Sequence, residues 1–202
     1  MKVAYVFMYN RSMRDESLTE ITISYIKALF AGSSDGHDAD HSLRVYRNAM
    51  RIAEGYPDAD TDLIVLSSLL HDVDDHKLFN TENNSNARTF LKDNGIPQDQ
   101  IEEIVKIINS VSFSKNKGKT PETIEAKIVQ DADRLDAMGA IGIARTFAFG
   151  GKKGRSLDDS VQHFHDKLLL LRDTLNTDEA REMAGKRHEF MVKFIKELGE
   201  EV

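Results

Sequence analysis

Apolar residues recur at spacings of three and four from about Leu18 onward, the period of helices that each bury one face. Ile21, Tyr25, Ala28 and Leu29 fall on one side of a first helix that stops near the Gly32 to Gly36 segment. A second carries His41, Val45, Ala49 and Ile52 and ends before Pro57. Asp60 or Thr61 caps a third, which runs through Leu63 to Leu70 and finishes at His71-Asp72. This third helix is apolar all round, so it belongs at the centre of the domain. A fourth covers Asn84 to Lys92 and stops at Asn94-Gly95, and Pro97 opens a fifth whose buried face is Ile101, Ile104, Val105 and Ile108. After an exposed loop from Ser114 to Lys119, Thr120-Pro121-Glu122-Thr123 starts a sixth helix with a cap residue and a proline. Gly139 and Gly142 predict close packing where the chain continues into Ile143 to Phe149. The Gly150 to Gly154 run reads as a flexible basic loop, and two long helices, Asp158 to Leu175 and Asp178 to Leu198, close the chain. No strand-like alternation follows the first ten residues, and no internal repeat is present. The expected fold class is therefore all-α, a single helical bundle domain over residues 19–200.

Residues 1–18 read as an N-terminal extension or a short strand. Val3 to Tyr9 is apolar but too short to span a membrane, and no small-residue cleavage site follows it, so neither a signal peptide nor a membrane anchor fits. It is alternatively upstream sequence, if translation starts at Met13. At 202 residues the chain can bury a sizeable core without staples, and the absence of cysteine excludes disulfides and thiolate metal ligands. That absence suits a cytoplasmic protein. The balance of 34 carboxylates against 27 Lys plus Arg gives a net charge of −7, which argues against binding a DNA or RNA backbone. It leaves room for a small phosphorylated substrate in a local basic pocket.

Candidate chemistry concentrates in two places. His71-Asp72 ends the most apolar helix and is followed by Asp74 and Asp75, an unbalanced negative cluster that a cation would resolve. Asp131, Asp133 and Asp136 lie within six residues of the sixth helix, where aspartate is a poor helix former. Asp133 and Asp136 share a face there, and Asp131 points elsewhere. A buried neutral histidine explains the first cluster taken alone, and a solvated acidic face explains the second. Of the other histidines, His37 sits at a helix entrance, His188 reads as structural, and His163 and His165 lie about 200° apart around a helix and cannot share an ion. With His71 and Asp72, a second imidazole such as His41 and a second carboxylate from other helices would complete a two-nitrogen, two-oxygen ligand set. Such a set is costly to bury without a metal.

Taken together, three segments resemble the HD-domain superfamily of metal-dependent phosphohydrolases, whose signature is a histidine, a later His-Asp pair and a distant aspartate. They are Gly36-His37-Asp38-Ala39-Asp40-His41-Ser42-Leu43-Arg44-Val45, Leu69-Leu70-His71-Asp72-Val73-Asp74-Asp75, and Lys127 through Ala137 around Asp131-Ala132-Asp133-Arg134-Leu135-Asp136. Gly139 to Arg145 and the later His163-Phe164 and Lys167-Leu168 are similar to a small bacterial subfamily, and the resemblance covers roughly residues 19–200. It implies metal ligands His41, His71, Asp72 and Asp133. Asp133 is preferred to Asp131 because the superfamily ligand directly precedes a basic and a hydrophobic residue, here Arg134-Leu135. Asp131 is then a supporting residue beside the site, orienting ligands or water, and Asp75 is placed as an acid/base group. Two-metal members carry extra histidines between the His-Asp pair and the last aspartate; only His76 lies there, which implies one metal.

Hard oxygen donors and a phosphate substrate favour Mn²⁺ or Mg²⁺, with Fe²⁺, Co²⁺ and Zn²⁺ also compatible. Such an ion polarises a phosphoryl oxygen and makes a bound water a nucleophile near neutral pH. Candidates for holding the phosphate are Arg44, Lys77, Arg134 and Lys167, with Arg145 and Arg187 weaker; each equally suits an ion pair with a nearby aspartate. The subfamily resemblance implies hydrolysis of nucleoside triphosphates to a monophosphate and pyrophosphate, with Phe113 or Phe147 available to contact a base. The alternative is an HD-fold sensor that holds metal or nucleotide without turnover. Base, sugar and oligomeric state stay open.

Overall fold

Ile64 through Leu70 are all buried, and they form the central rod of the fold, helix α3 (Thr61–Leu70). The computed structural model describes residues 17–32, 38–76, 78–112, 116 and 119–201. The expected extension over residues 1–18 lies almost wholly outside them, as do His37, Lys77 and Phe113. Around α3 come α1 (17–29), α2 (Ala39–Ala53), α4 (Ser85–Asp93), α5 (Gln98–Val111) and α6 (Ile124–Asp136). The chain then runs through α7 (Gly139–Lys152), α8 (Leu157–Asp166), a 3₁₀ helix (Leu168–Thr174) and α9 (Asp178–Glu201). No strand occurs among the described residues, so the all-α expectation holds. No helix among them is long and apolar enough to cross a membrane.

The apolar stripes read from the sequence are the faces that meet. One cluster joins Val45, Ala49 and Ile52 of α2 to Ile128, Val129, Ala132 and Leu135 of α6 and to Ala180, Ala184 and Met191 of α9. A second joins Val65, Leu66, Leu69 and Leu70 of α3 to Ile26 and Phe30 and to Ile101, Ile104, Val105 and Ile108 of α5. Three helices therefore cross at one place, α2 and α6 against α3, with their polar ends converging above the core.

The boundaries differ in several places: α6 begins at Ile124 with Thr123 as its cap, three residues after the expected start at Thr120-Pro121. Pro97 caps α5 from outside, so the helix begins at Gln98. The expected long helix from Asp158 to Leu175 breaks at Lys167 (φ −141°, ψ −57°) and continues as the 3₁₀ helix. Three residues per turn stack Leu168 and Leu171 on one side, and both enter the core. The expected flexible loop at Gly150-Gly151 is instead the end of α7. A Cβ at Gly150 would stand 2.6 Å from Ser160 Oγ, so this glycine is a contact point between α7 and α8. Gly142 shows the close approach foreseen for it: a Cβ there would lie 2.2 Å from the Ala137 carbonyl oxygen. That contact folds the start of α7 back on the end of α6.

Candidate metal centre

His41 enters the core from the first turn of α2, where the Asp38 side chain caps the helix by accepting its backbone N–H at 2.7 Å. The ring shares the face of Val45 and Ile52 and is 2% exposed. His71 closes α3 as its C-cap residue, and its Nδ1–H donates to the Ser68 carbonyl at 2.9 Å. Asp72 follows in the turn, and Asp133 comes from α6. The four side chains converge. His41 Nε2 lies 3.2 Å from His71 Nε2, 3.4 Å from an Asp72 oxygen and 3.4 Å from an Asp133 oxygen. His71 Nε2 lies 3.5 Å and 3.9 Å from those two carboxylates.

These contacts carry a chemical demand. The Nδ1 of His41 faces the Asp136 carboxylate at 2.7 Å and that of His71 faces a carbonyl, so both Nδ1 atoms carry the proton. Both Nε2 atoms then present lone pairs to each other and to two carboxylates. Four electron-rich atoms packed this closely need positive charge among them. Burial would lower the His41 pKa, but the carboxylates of Asp133, Asp136 and Asp72 outweigh it and hold the ring well above its ordinary range. The added proton goes to Nε2, the atom a metal would take, so metal and proton compete there. His41, His71 and Asp133 meet the spacing of a metal site, and the Asp72 oxygen is close enough to complete it. The residues fit a divalent cation.

Asp136 has no role in the sequence reading, yet it is the best-anchored group of the site. It is 2% exposed and accepts from His41 Nδ1, from Arg44 Nε at 2.7 Å and Nη2 at 3.2 Å, and from Arg145 Nη1 at 2.5 Å. Burial alone would raise its pKa, but His41 and the two guanidinium groups hold it well below the usual carboxylate range. It fixes the tautomer and plane of the His41 ring, as outer partners of metal-ligating histidines do. The signal lay in its position one turn after Asp133 on the same face. Asp136→Asn keeps the shape and removes the charge, and should weaken metal binding by roughly 10–100-fold without loss of helix content. A metal titration followed by calorimetry checks this, and unchanged affinity would count against the orienting role.

The remaining expectations divide. Asp75 lines the cleft above the four ligands, beside exposed His76. Arg134 and Lys167 also line it, and so does Arg145, a weaker candidate from sequence. Arg134 is mostly buried and donates to the Thr174 carbonyl, which pins it between α6 and the 3₁₀ helix. Arg44 is a correction: its guanidinium gives Nε and Nη2 to Asp136 on the far side of His41, and it is absent from the cleft lining.

Asp131 is a second correction. It points away from the cluster, as two residues along a helix require, and is fully buried against the start of α9. It accepts from the backbone N–H groups of Asn176 and Thr177, from the Thr177 hydroxyl and from the Asn176 amide. Asp74 is similarly occupied, accepting from the N–H groups of Asn86 and Ala87 at the start of α4.

The cleft holds about 290 Å³. Its apolar wall is Ile108, Val111 and Leu171, whereas Phe147 packs against Phe164 and Phe194 in the core and does not line it. A larger cavity of about 390 Å³ opens between α3, α5 and α6, but the group of ligating side chains found among the described residues lies in the smaller one.

The family model for the HD domain matches residues 38–138, which contain all four converging side chains. The chain is 38% identical over 199 residues to the YpgQ protein of Bacillus subtilis, covering 94% of this chain and 96% of that one. The crystal structure of Bacillus subtilis YpgQ in complex with ADP superposes with a TM-score of 0.82 at 37% identity, over 94% of this chain and 97% of that one. An HD-superfamily hydrolase from Bacillus thuringiensis does so with a TM-score of 0.77 at 35% identity, over 93% and 97%.

Proposed function

This chain belongs to the HD domain family and has the fold of HD-superfamily hydrolases, and from that premise we propose that it is a metal-dependent phosphohydrolase that cleaves nucleoside triphosphates to a monophosphate and pyrophosphate. The observation that carries the reading is the convergence of His41, His71, Asp72 and Asp133 at the floor of a cleft whose wall holds Arg134, Arg145 and Lys167. The ADP bound by the related YpgQ supports a nucleotide as the substrate class.

One divalent ion, Mn²⁺ or Mg²⁺ by the hardness of its oxygen donors, would be held by those four residues. When bound it supplies Lewis acidity to a phosphoryl oxygen and a more acidic water. The protein supplies the rest. Arg134, Arg145 and Lys167 place positive charge where the phosphoryl oxygens gain negative charge in the transition state. Water attacks the α-phosphorus, the bond to the bridging oxygen breaks, and pyrophosphate leaves with that oxygen. Asp75, on the cleft wall, accepts the proton that the attacking water loses. Ile108, Val111 and Leu171 offer an apolar surface to the base.

A panel of nucleoside di- and triphosphates and generic phosphoesters, assayed with each divalent metal for phosphate and pyrophosphate, tests the reading. Pyrophosphate release that requires metal, with kcat/KM lowered about tenfold or more in Lys167→Ala, is the expected result. Tight stoichiometric nucleotide binding without turnover under any metal would replace the enzyme by a sensor.

A further inference from the structure

Behind the metal centre, on the opposite side of His41 from the cleft, lies a second pocket of about 340 Å³. Arg44 and Arg47 of α2 and Arg187 of α9 line it, with Asn48, Met138 and Asp136. Three guanidinium groups share this space with a single carboxylate, in a chain whose net charge is −7. That carboxylate is already shared among four donors. Asp136 receives His41 Nδ1, one N–H of Arg44 and one of Arg145 on Oδ2, and a second N–H of Arg44 on Oδ1.

The arginines are only partly used. Arg187 gives one N–H to the Leu135 carbonyl and one to the Asn48 side chain, which fixes its guanidinium but leaves its other donors. Arg44 keeps its Nη1 hydrogens beyond those given to Asp136. Arg47 stands exposed at the rim one turn after Arg44, and Arg51 is close enough to Arg187 to act on it electrostatically. Positive charge fixed by buried anchors, three guanidinium groups against one shared carboxylate, is poised for an anion from solution. Rigid guanidinium forks match several oxygens on one centre, as in a phosphate, better than a single carboxylate.

We propose that the pocket between α2, the start of α7 and α9 is a binding site for a phosphate-type oxyanion, separate from the metal centre. Arg44 joins the two, because it reaches both the pocket and Asp136, the residue that orients His41. An anion seated on Arg44 is therefore two side chains, Arg44 and Asp136, removed from the metal ligand His41. The site would sense phosphate or a phosphorylated metabolite independently of the substrate cleft.

The test uses full-length protein stripped of metal with a chelator and dialysed, so it does not depend on hydrolytic activity. Inorganic phosphate is titrated calorimetrically into wild type, Arg47→Ala, Arg47→Glu and Lys167→Ala, each checked for helix content by circular dichroism. Wild type should bind one phosphate; Arg47→Glu should weaken it about tenfold or more, and Arg47→Ala by less. Lys167→Ala, altered in the cleft, should bind as wild type does. No binding by wild type, equal binding by the folded Arg47→Glu variant, or loss of binding in Lys167→Ala would each overturn the proposal, the last by placing the anion in the metal cleft.

Discussion

Asp133→Ala should purify folded and without metal, and its metal-dependent hydrolysis should fall by about 10³-fold or more. The size follows from the several kcal/mol that a bound ion contributes to a phosphoryl-transfer transition state, at about 1.4 kcal/mol per tenfold in rate. The Asp133 oxygen sits 3.4 Å from His41 Nε2 and 3.9 Å from His71 Nε2, and removing it leaves two imidazoles and one carboxylate. Folding should survive, because Asp133 is about a quarter exposed and its loss unburdens a crowded negative cluster. Asp72→Ala should behave in the same way, since its oxygen lies 3.4 Å and 3.5 Å from the same two nitrogens. Elemental analysis of the purified variants measures occupancy and a pyrophosphate assay measures turnover. Full metal occupancy in Asp133→Ala would sink the ligand assignment.

How legible this centre is in sequence depends on what kind of contact each residue makes. The helices follow from periodicity because burial of one face is a local, repeating constraint, and α3, apolar on every side, could only be central. His41, His71, Asp72 and Asp133 are legible because a resemblance spans three separate segments at once. Asp136 is different. Its role comes from Arg44 on α2 and Arg145 on α7, whose approach depends on how α6 and α7 fold back at Gly142. No spacing in the chain encodes that meeting. Arg44 illustrates the converse: one turn after His41 it reads as a phosphate ligand, but Asp136 takes two of its N–H groups and it does not line the cleft. The four leucines from Leu168 to Leu171 fit an α-helix by composition, and nothing in their spacing marks the 3₁₀ winding they adopt.

Asp131 and Asp133 stand two residues apart on one helix, and replacing Asp131 should produce the opposite result. Asp131→Ala is expected to cost about 3 kcal/mol of stability while each folded molecule keeps its metal and its turnover. Its carboxylate takes two backbone N–H groups, a hydroxyl and an amide at the junction between the 3₁₀ helix and α9. Without it, the buried Thr177 N–H and the Asn176 N–H lose their acceptor at the point where α9 begins. Burial raises the Asp131 pKa despite these four donors, so desolvation of the charge is a real cost that the hydrogen bonds do not fully offset. Asp131→Asn should therefore lose less than Ala: it sheds the charge and keeps one acceptor oxygen, though its NH₂ then faces a donor. Chemical denaturation with a common slope measures the stability, and activity normalised to bound metal measures the site. A variant as stable as wild type but depleted of metal would return Asp131 to the centre. The expected pair of outcomes, stability lost at Asp131 and metal lost at Asp133, separates the two faces of α6 by function.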